Sequence, residues 1–140
     1  MKYLLDTCLV SELIKRHPSR AVAAWLDEQR EEDLCLSVLT LGEIQNGIAR
    51  LEDGRKKARL QAWLDHDLRD RFAGRIAGIT EEAALQWGRI CGESLRRGRP
   101  LPVVDELIAA TAIAIGATVV TRDEAVLQSA GAKTFGPWNA

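Results

Sequence analysis

A chain of 140 residues has the length of one domain and can build a full hydrophobic core, so residues 1–140 are expected to form a single unit. With 46% hydrophobic and 28% charged residues it falls among globular chains, and a formal net charge of −1 excludes a strong overall attraction to nucleic acid. Its three cysteines, Cys8, Cys35 and Cys91, form no Cys-x-x-Cys pair, which excludes a zinc ribbon or dithiol motif and suits a reducing, cytoplasmic compartment.

Tyr3 to Leu5 reads as a short buried strand, broken at once by Asp6, and Glu12 follows too soon for a signal peptide. Thr7 to Lys15 reads as a helix stopped before Pro18, and Ser19 caps a second helix to about Arg30. Leu34 to Val38 is a second strand. Thr40 is expected to open a third helix, whose Leu41, Ile44, Ile48 and Leu51 make a helical stripe ended by Asp53-Gly54. A long amphipathic helix is expected from Arg55 to Phe72, then a short strand within Arg75 to Ile79. Thr80 caps the next helix, with Ala84, Trp87, Gly88 and Cys91 as its expected buried face. Asp105 opens a helix with no charge after Glu106, and a helix apolar on all sides belongs at the centre of a fold. Gly116 ends it. Ala117 to Thr121 is a strand, a short helix starts at Asp123, and Lys133 to Phe135 is a weak last strand. No uncharged run approaches the roughly 20 residues of a membrane span. Alternating strands and helices imply an α/β sandwich with a mainly parallel central sheet flanked by helices.

Four acids stand where these runs end: Asp6, Glu43, Asp105 and Asp123. Each has a bland alternative. Asp6 and Asp123 suit N-caps, and Thr40 to Glu43 matches a capping box. Asp105 suits the positive end of any helix. Yet if the strands are parallel all four fall at the same end of the sheet, and sites of this architecture lie beyond the carboxyl ends of strands, beside helix N-termini. Carboxylates packed together repel unless a cation intervenes. Oxygen ligands without a nearby histidine favour magnesium or manganese over zinc, and His17 and His66 lie on polar segments expected to face solvent. Arginine outnumbers lysine fourteen to five, and basic residues gather at Lys15 to His17, Arg55 to Arg59 and Arg96 to Arg99. Solvated helix faces explain such clusters, and so does phosphate binding.

The stretches Leu4-Leu5-Asp6-Thr7, Ser37 to Glu43, Leu101 to Ala112 and Val120-Thr121-Arg122-Asp123 resemble the PIN domain. More narrowly they resemble the VapC toxins of type II toxin–antitoxin pairs, including the FitB-like branch. The similarity spans essentially the whole chain and keeps the motif order. It implies a PIN-like three-layer sandwich and a Mg2+-dependent ribonuclease, with Mn2+ as the alternative metal. By matching position, Asp6, Glu43 and Asp105 carry metal-holding and catalytic roles, Asp123 shares them, and Thr7 and Thr121 support the site with hydroxyls. Many members with Asn at the position of Asp123 carry another Asp three residues later, followed by an aromatic. Val126 and Leu127 stand there, leaving Asp123 and Glu124 as the local acids.

The resemblance also implies an RNA substrate guided by the clusters near Lys15 and Arg96, and a cognate VapB-type antitoxin. A homodimer and a higher toxin–antitoxin assembly on DNA are implied as well, with no membrane. The alternative is a non-catalytic PIN-like module that binds RNA or protein. A phosphohydrolase of the aspartyl-phosphate class would need Asp-x-Asp where this chain has Asp6-Thr7-Cys8, and no P-loop is present.

Overall fold

The computed structural model describes residues 1–139. Its frame is a five-stranded sheet of β1 (Tyr3–Leu5), β2 (Leu34–Ser37), β3 (Ile76–Ala77), β4 (Thr118–Val120) and β5 (Thr134–Phe135), ordered β3-β2-β1-β4-β5. Every pairing is parallel. Parallel neighbours cannot be joined by a tight turn, so helices carry the chain back across the faces. They are α1 (Thr7–Glu12), α2 (Arg20–Glu28), α3 (Val38–Ala49), α4 (Arg55–Ala62), α5 (Arg69–Arg71), α6 (Glu81–Arg96), α7 (Val103–Ile115) and α8 (Glu124–Ser129).

Alternation along the strands divides the core in two. Leu5, Leu34, Leu36 and Val120 enter one cluster with Leu9, Val22, Leu68 and Phe72. Leu4, Cys35 and Val119 enter the other with Ile108, Ala109, Ala112 and Leu127. Each side chain of this size buried from water contributes about 1.5–3 kcal/mol, so both faces hold the sheet between helical layers. This is the three-layer α/β sandwich expected from the sequence. The alanines of α7 let that helix lie close to the sheet, and Gly116 ends it in the left-handed conformation at φ 71° that a side chain would resist.

Local boundaries differ from expectation in three informative places. The third helix begins at Val38, capped by the Ser37 hydroxyl, which accepts the Leu39 N–H at 3.0 Å. Thr40 is therefore inside the helix and buried, its hydroxyl oxygen without a described partner, and the capping box with Glu43 does not form. The buried face of α6 is centred on Ala83, with Trp87, Ile90, Cys91 and Ser94 half-buried, while Ala84 and Gly88 are exposed. The expected stripe was one residue out of phase at its start. Finally, the long helix from Arg55 runs to Arg71 but widens into a π turn over Trp63–Leu68, which turns Leu64 and Leu68 into the core. No helix among the described residues is long and apolar enough to cross a membrane.

The strand order sets up the site. From β1 the chain moves outward to β2 and β3, then crosses to the opposite side of β1 for β4 and β5. The reversal leaves a crevice beyond the carboxyl ends of β1 and β4.

Candidate metal centre

Asp6 is the first residue past β1 and the N-cap of α1. The cap is realised, and the two Asp6 oxygens are used separately. Oδ1 accepts the Thr7 N–H at 2.8 Å, and Oδ2 accepts the Thr121 hydroxyl at 2.7 Å. Thr121 is fully buried just past β4, and its oxygen also accepts the Asp123 N–H at 3.0 Å. One hydroxyl thus fixes the Asp6 carboxylate and the turn that presents Asp123. On the other side of Asp6, the Thr7 hydroxyl donates to Glu43 Oε1 at 2.5 Å, fastening α3 to α1.

Asp123 occupies the N-cap position of α8, but its side chain makes no cap hydrogen bond. The capping explanation fails for it, and the exposed carboxylate is left over the crevice. Glu124 turns elsewhere, accepting the Thr134 hydroxyl at 2.9 Å. Gly136 makes room for it: a Cβ there would stand 2.6 Å from Glu124 Oε2. Asp105 lies in the first turn of α7, which Pro102 starts. Burial pushes the Asp105 carboxyl above its ordinary pKa, and the charges of Asp6, Glu43 and Asp123 push it further. All six residues expected at the site are therefore brought to one place.

These four acids are gathered without a counter-charge among the described residues. Nine ion pairs join described residues, and not one includes Asp6, Glu43, Asp105 or Asp123. Like charges held together without a cation are costly, and a divalent ion removes that cost. The donors are carboxylates and hydroxyls, hard oxygen ligands that fit magnesium or manganese. Among the described residues no group of three or more His, Cys, Asp and Glu side chains stands close enough together to enclose a metal ion.

One neighbour was not legible as such in the sequence. The Cys8 thiol lies 3.8 Å from Asp6 Oδ2 and 3.7 Å from Thr121 Oγ1, and its sulfur accepts the Arg122 N–H at 3.3 Å. Burial, above all, pushes its pKa up, so at neutral pH it is a thiol that braces the turn after β4. Its place two residues after Asp6 was the available signal. The expected exposure of His17 and His66 is borne out. An apolar groove of about 280 Å³ opens beside Thr7 and Glu43 and continues along Ile14, Ile44, Leu60 and Trp63.

Residues 3–132 match the PIN domain. The chain is 37% identical to Toxin FitB of Neisseria gonorrhoeae over 136 residues, 97% of this chain and 98% of that protein. It is 35% identical to VapC ribonuclease Y4jK of Sinorhizobium fredii over 135 residues, 96% of each. Among solved structures, FitAcB from Neisseria gonorrhoeae matches with a TM-score of 0.91 at 36% identity, covering 99% of both chains. FitAB bound to the IR36 DNA fragment matches with a TM-score of 0.88 at 36% identity, covering 97% of this chain and 95% of that one.

Proposed function

The chain belongs to the PIN domain family, and from that premise we propose that it is the toxin of a type II toxin–antitoxin pair, acting as a Mg2+- or Mn2+-dependent endoribonuclease. The observation that carries this reading is the set of four gathered acids without a cation partner at the switch point of the sheet. The names of the relatives, a VapC ribonuclease and a FitB toxin, support it.

Asp6, Glu43 and Asp105 would hold the metal ion, with Asp123 sharing that role. When bound, the ion supplies Lewis acidity, acidifying water and neutralising charge on a phosphodiester. The chain's own residues supply position. Thr121 and the Thr7 N–H hold the two oxygens of Asp6, and the Thr7 hydroxyl holds Glu43 by Oε1. Asp105 makes cation binding pH-dependent: its raised pKa means that protons compete, so affinity rises with pH through that range.

A solved FitAB complex on DNA supports a cognate antitoxin and an assembly on DNA for this chain also. The groove that begins at Glu43 has the shape and apolar lining for an antitoxin helix, with a basic side chain at its end meeting the acids. A homodimer is part of the proposal, checked by mass in solution.

The test is cleavage of total cellular RNA by purified, antitoxin-free protein, with magnesium or manganese, with chelator, and with Asp105→Asn. Discrete cuts ending in 5′-phosphate that need both metal and Asp105 are expected. Equal cutting by Asp105→Asn would remove the site assignment. Folded protein that binds the metal and cuts nothing would favour a non-catalytic binding module.

A further inference from the structure

At the far end of α1 from Asp6 stands a second carboxylate, Glu12, only 3% exposed. It accepts from the Lys15 ammonium at 2.9 Å, the Ser19 N–H at 3.0 Å and the Trp138 indole N–H at 3.2 Å. Arg122 reaches the same oxygen as Lys15, at 3.5 Å, and its guanidinium lies over the Trp138 ring, 4.6 Å from the centroid. The two cations keep 49% and 55% of their side-chain surface exposed. Arg122 also sits in sequence between Thr121 and Asp123, with its own N–H tied to Cys8. A basic ledge therefore continues directly from the acidic crevice, and one buried anion holds two cations side by side.

We propose that Arg122 and Lys15 bind the phosphate backbone of single-stranded RNA next to the bond being cut, with Glu12 and Trp138 as the positioning residues that hold Arg122 in place. The proposal rests on the ribonuclease reading above. Four acids repel a polyanion, so a substrate needs fixed positive charge close beside them. Free arginines would lose side-chain freedom on binding, and Arg122 is already ordered on an aromatic plane with its forked donors partly exposed.

The experiment titrates a labelled single-stranded RNA against the full chain carrying Asp105→Asn, in chelator, at several salt concentrations. Cleavage by the parent chain is followed in parallel with magnesium. Adding Arg122→Gln is expected to weaken binding about tenfold and to lower the slope of log affinity against log salt by about 0.7, the value for one phosphate contact on a single strand. In the cleaving background the same change should raise KM with little change in kcat. Arg122→Lys should restore the salt slope while recovering affinity only in part. Lys15→Gln should act in the same direction, more weakly. Arg30→Gln, at the amino end of β2, serves as the control for diffuse charge. Equal effects from Arg30→Gln, or an unchanged slope in Arg122→Gln, would overturn the ledge. If the parent cuts with metal while Arg122→Gln keeps its KM, the ledge fails and the ribonuclease stands. If binding depends on Arg122 but the parent cuts nothing, the ledge stands and the catalytic reading fails.

Discussion

Asp6 and Glu12 mark the two ends of one short helix, both buried, and the chain treats them in opposite ways. Glu12 is saturated. The Lys15 ammonium foremost, with the Ser19 and Trp138 N–H groups, lowers its pKa from the ordinary 4.5 to about 2. Asp6 receives a hydroxyl, one backbone N–H and a distant thiol, and its charged neighbours are other carboxylates. A buried carboxylate compensated from within is a scaffold. One left uncompensated among its own kind is a place for a cation from outside. Burial alone does not distinguish the two roles, whereas the sign of the surrounding charge does.

The largest test removes a charge from the uncompensated end. Asp105→Asn should lower RNA cleavage by about a thousandfold while leaving the metal-free protein as stable or more so, because repulsion is relieved. Cleavage rates and thermal melting in chelator check both halves. Comparable loss of stability would mean that the acids are structural after all.

The corresponding change at the compensated end, Glu12→Ala, should do the reverse. It leaves the Trp138 N–H and the Ser19 N–H unpaired and frees two cations, a cost of about 3 kcal/mol, read from a denaturant midpoint. Acid should reproduce it in the parent. A depressed carboxylate stabilises the fold above its unfolded value, so this contribution is complete above pH 4.5 and disappears as pH falls through about 2. A pH titration in which the parent loses no more stability than Glu12→Ala over that window would refute the assignment.

A milder change separates orientation from charge. Thr121→Val keeps shape but removes the hydroxyl shared by Asp6 and the Asp123 N–H. About 1–2 kcal/mol of stability should be lost, with roughly tenfold weaker manganese binding by calorimetry. The smallest effect is expected at Asp123, exposed and free of side-chain hydrogen bonds. Asp123→Asn should weaken metal binding only several-fold and leave melting unchanged, within the ±0.5 kcal/mol usual for surface changes.

Much of the fold is legible because it rests on alternation and repeated strand–helix order. Leu4 and Leu5 facing opposite cores follow directly from a two-residue period. Asp6, Thr7, Thr121 and Asp123 stand just past β1 and β4, where a parallel sheet gathers side chains, whereas Glu43 and Asp105 lie in α3 and α7 and were reached through those helix starts and the resemblance. Other features were not. Ser37 and Thr40 are both good caps, and only the path of β2 decides between them. The face of α6 slipped because alanine and glycine pack or face solvent with little difference in energy. The Glu12 network has no local signal of this kind, since Arg122 and Trp138 come from distant parts of the chain. Long-range polar networks leave no local period to detect.

The hydrogen bond from Thr121 to Asp6 spans 115 positions. On a ribosome, where residues emerge at roughly 5–20 per second, Asp6 and Glu43 are made long before the strand that completes their pocket. Closing so long a loop is late in folding. A half-made chain therefore holds the first two acids without Asp105, Thr121 or Asp123, and its acidic centre does not yet exist. The order of strands acts as a delay: the acidic centre assembles only once the chain is nearly finished.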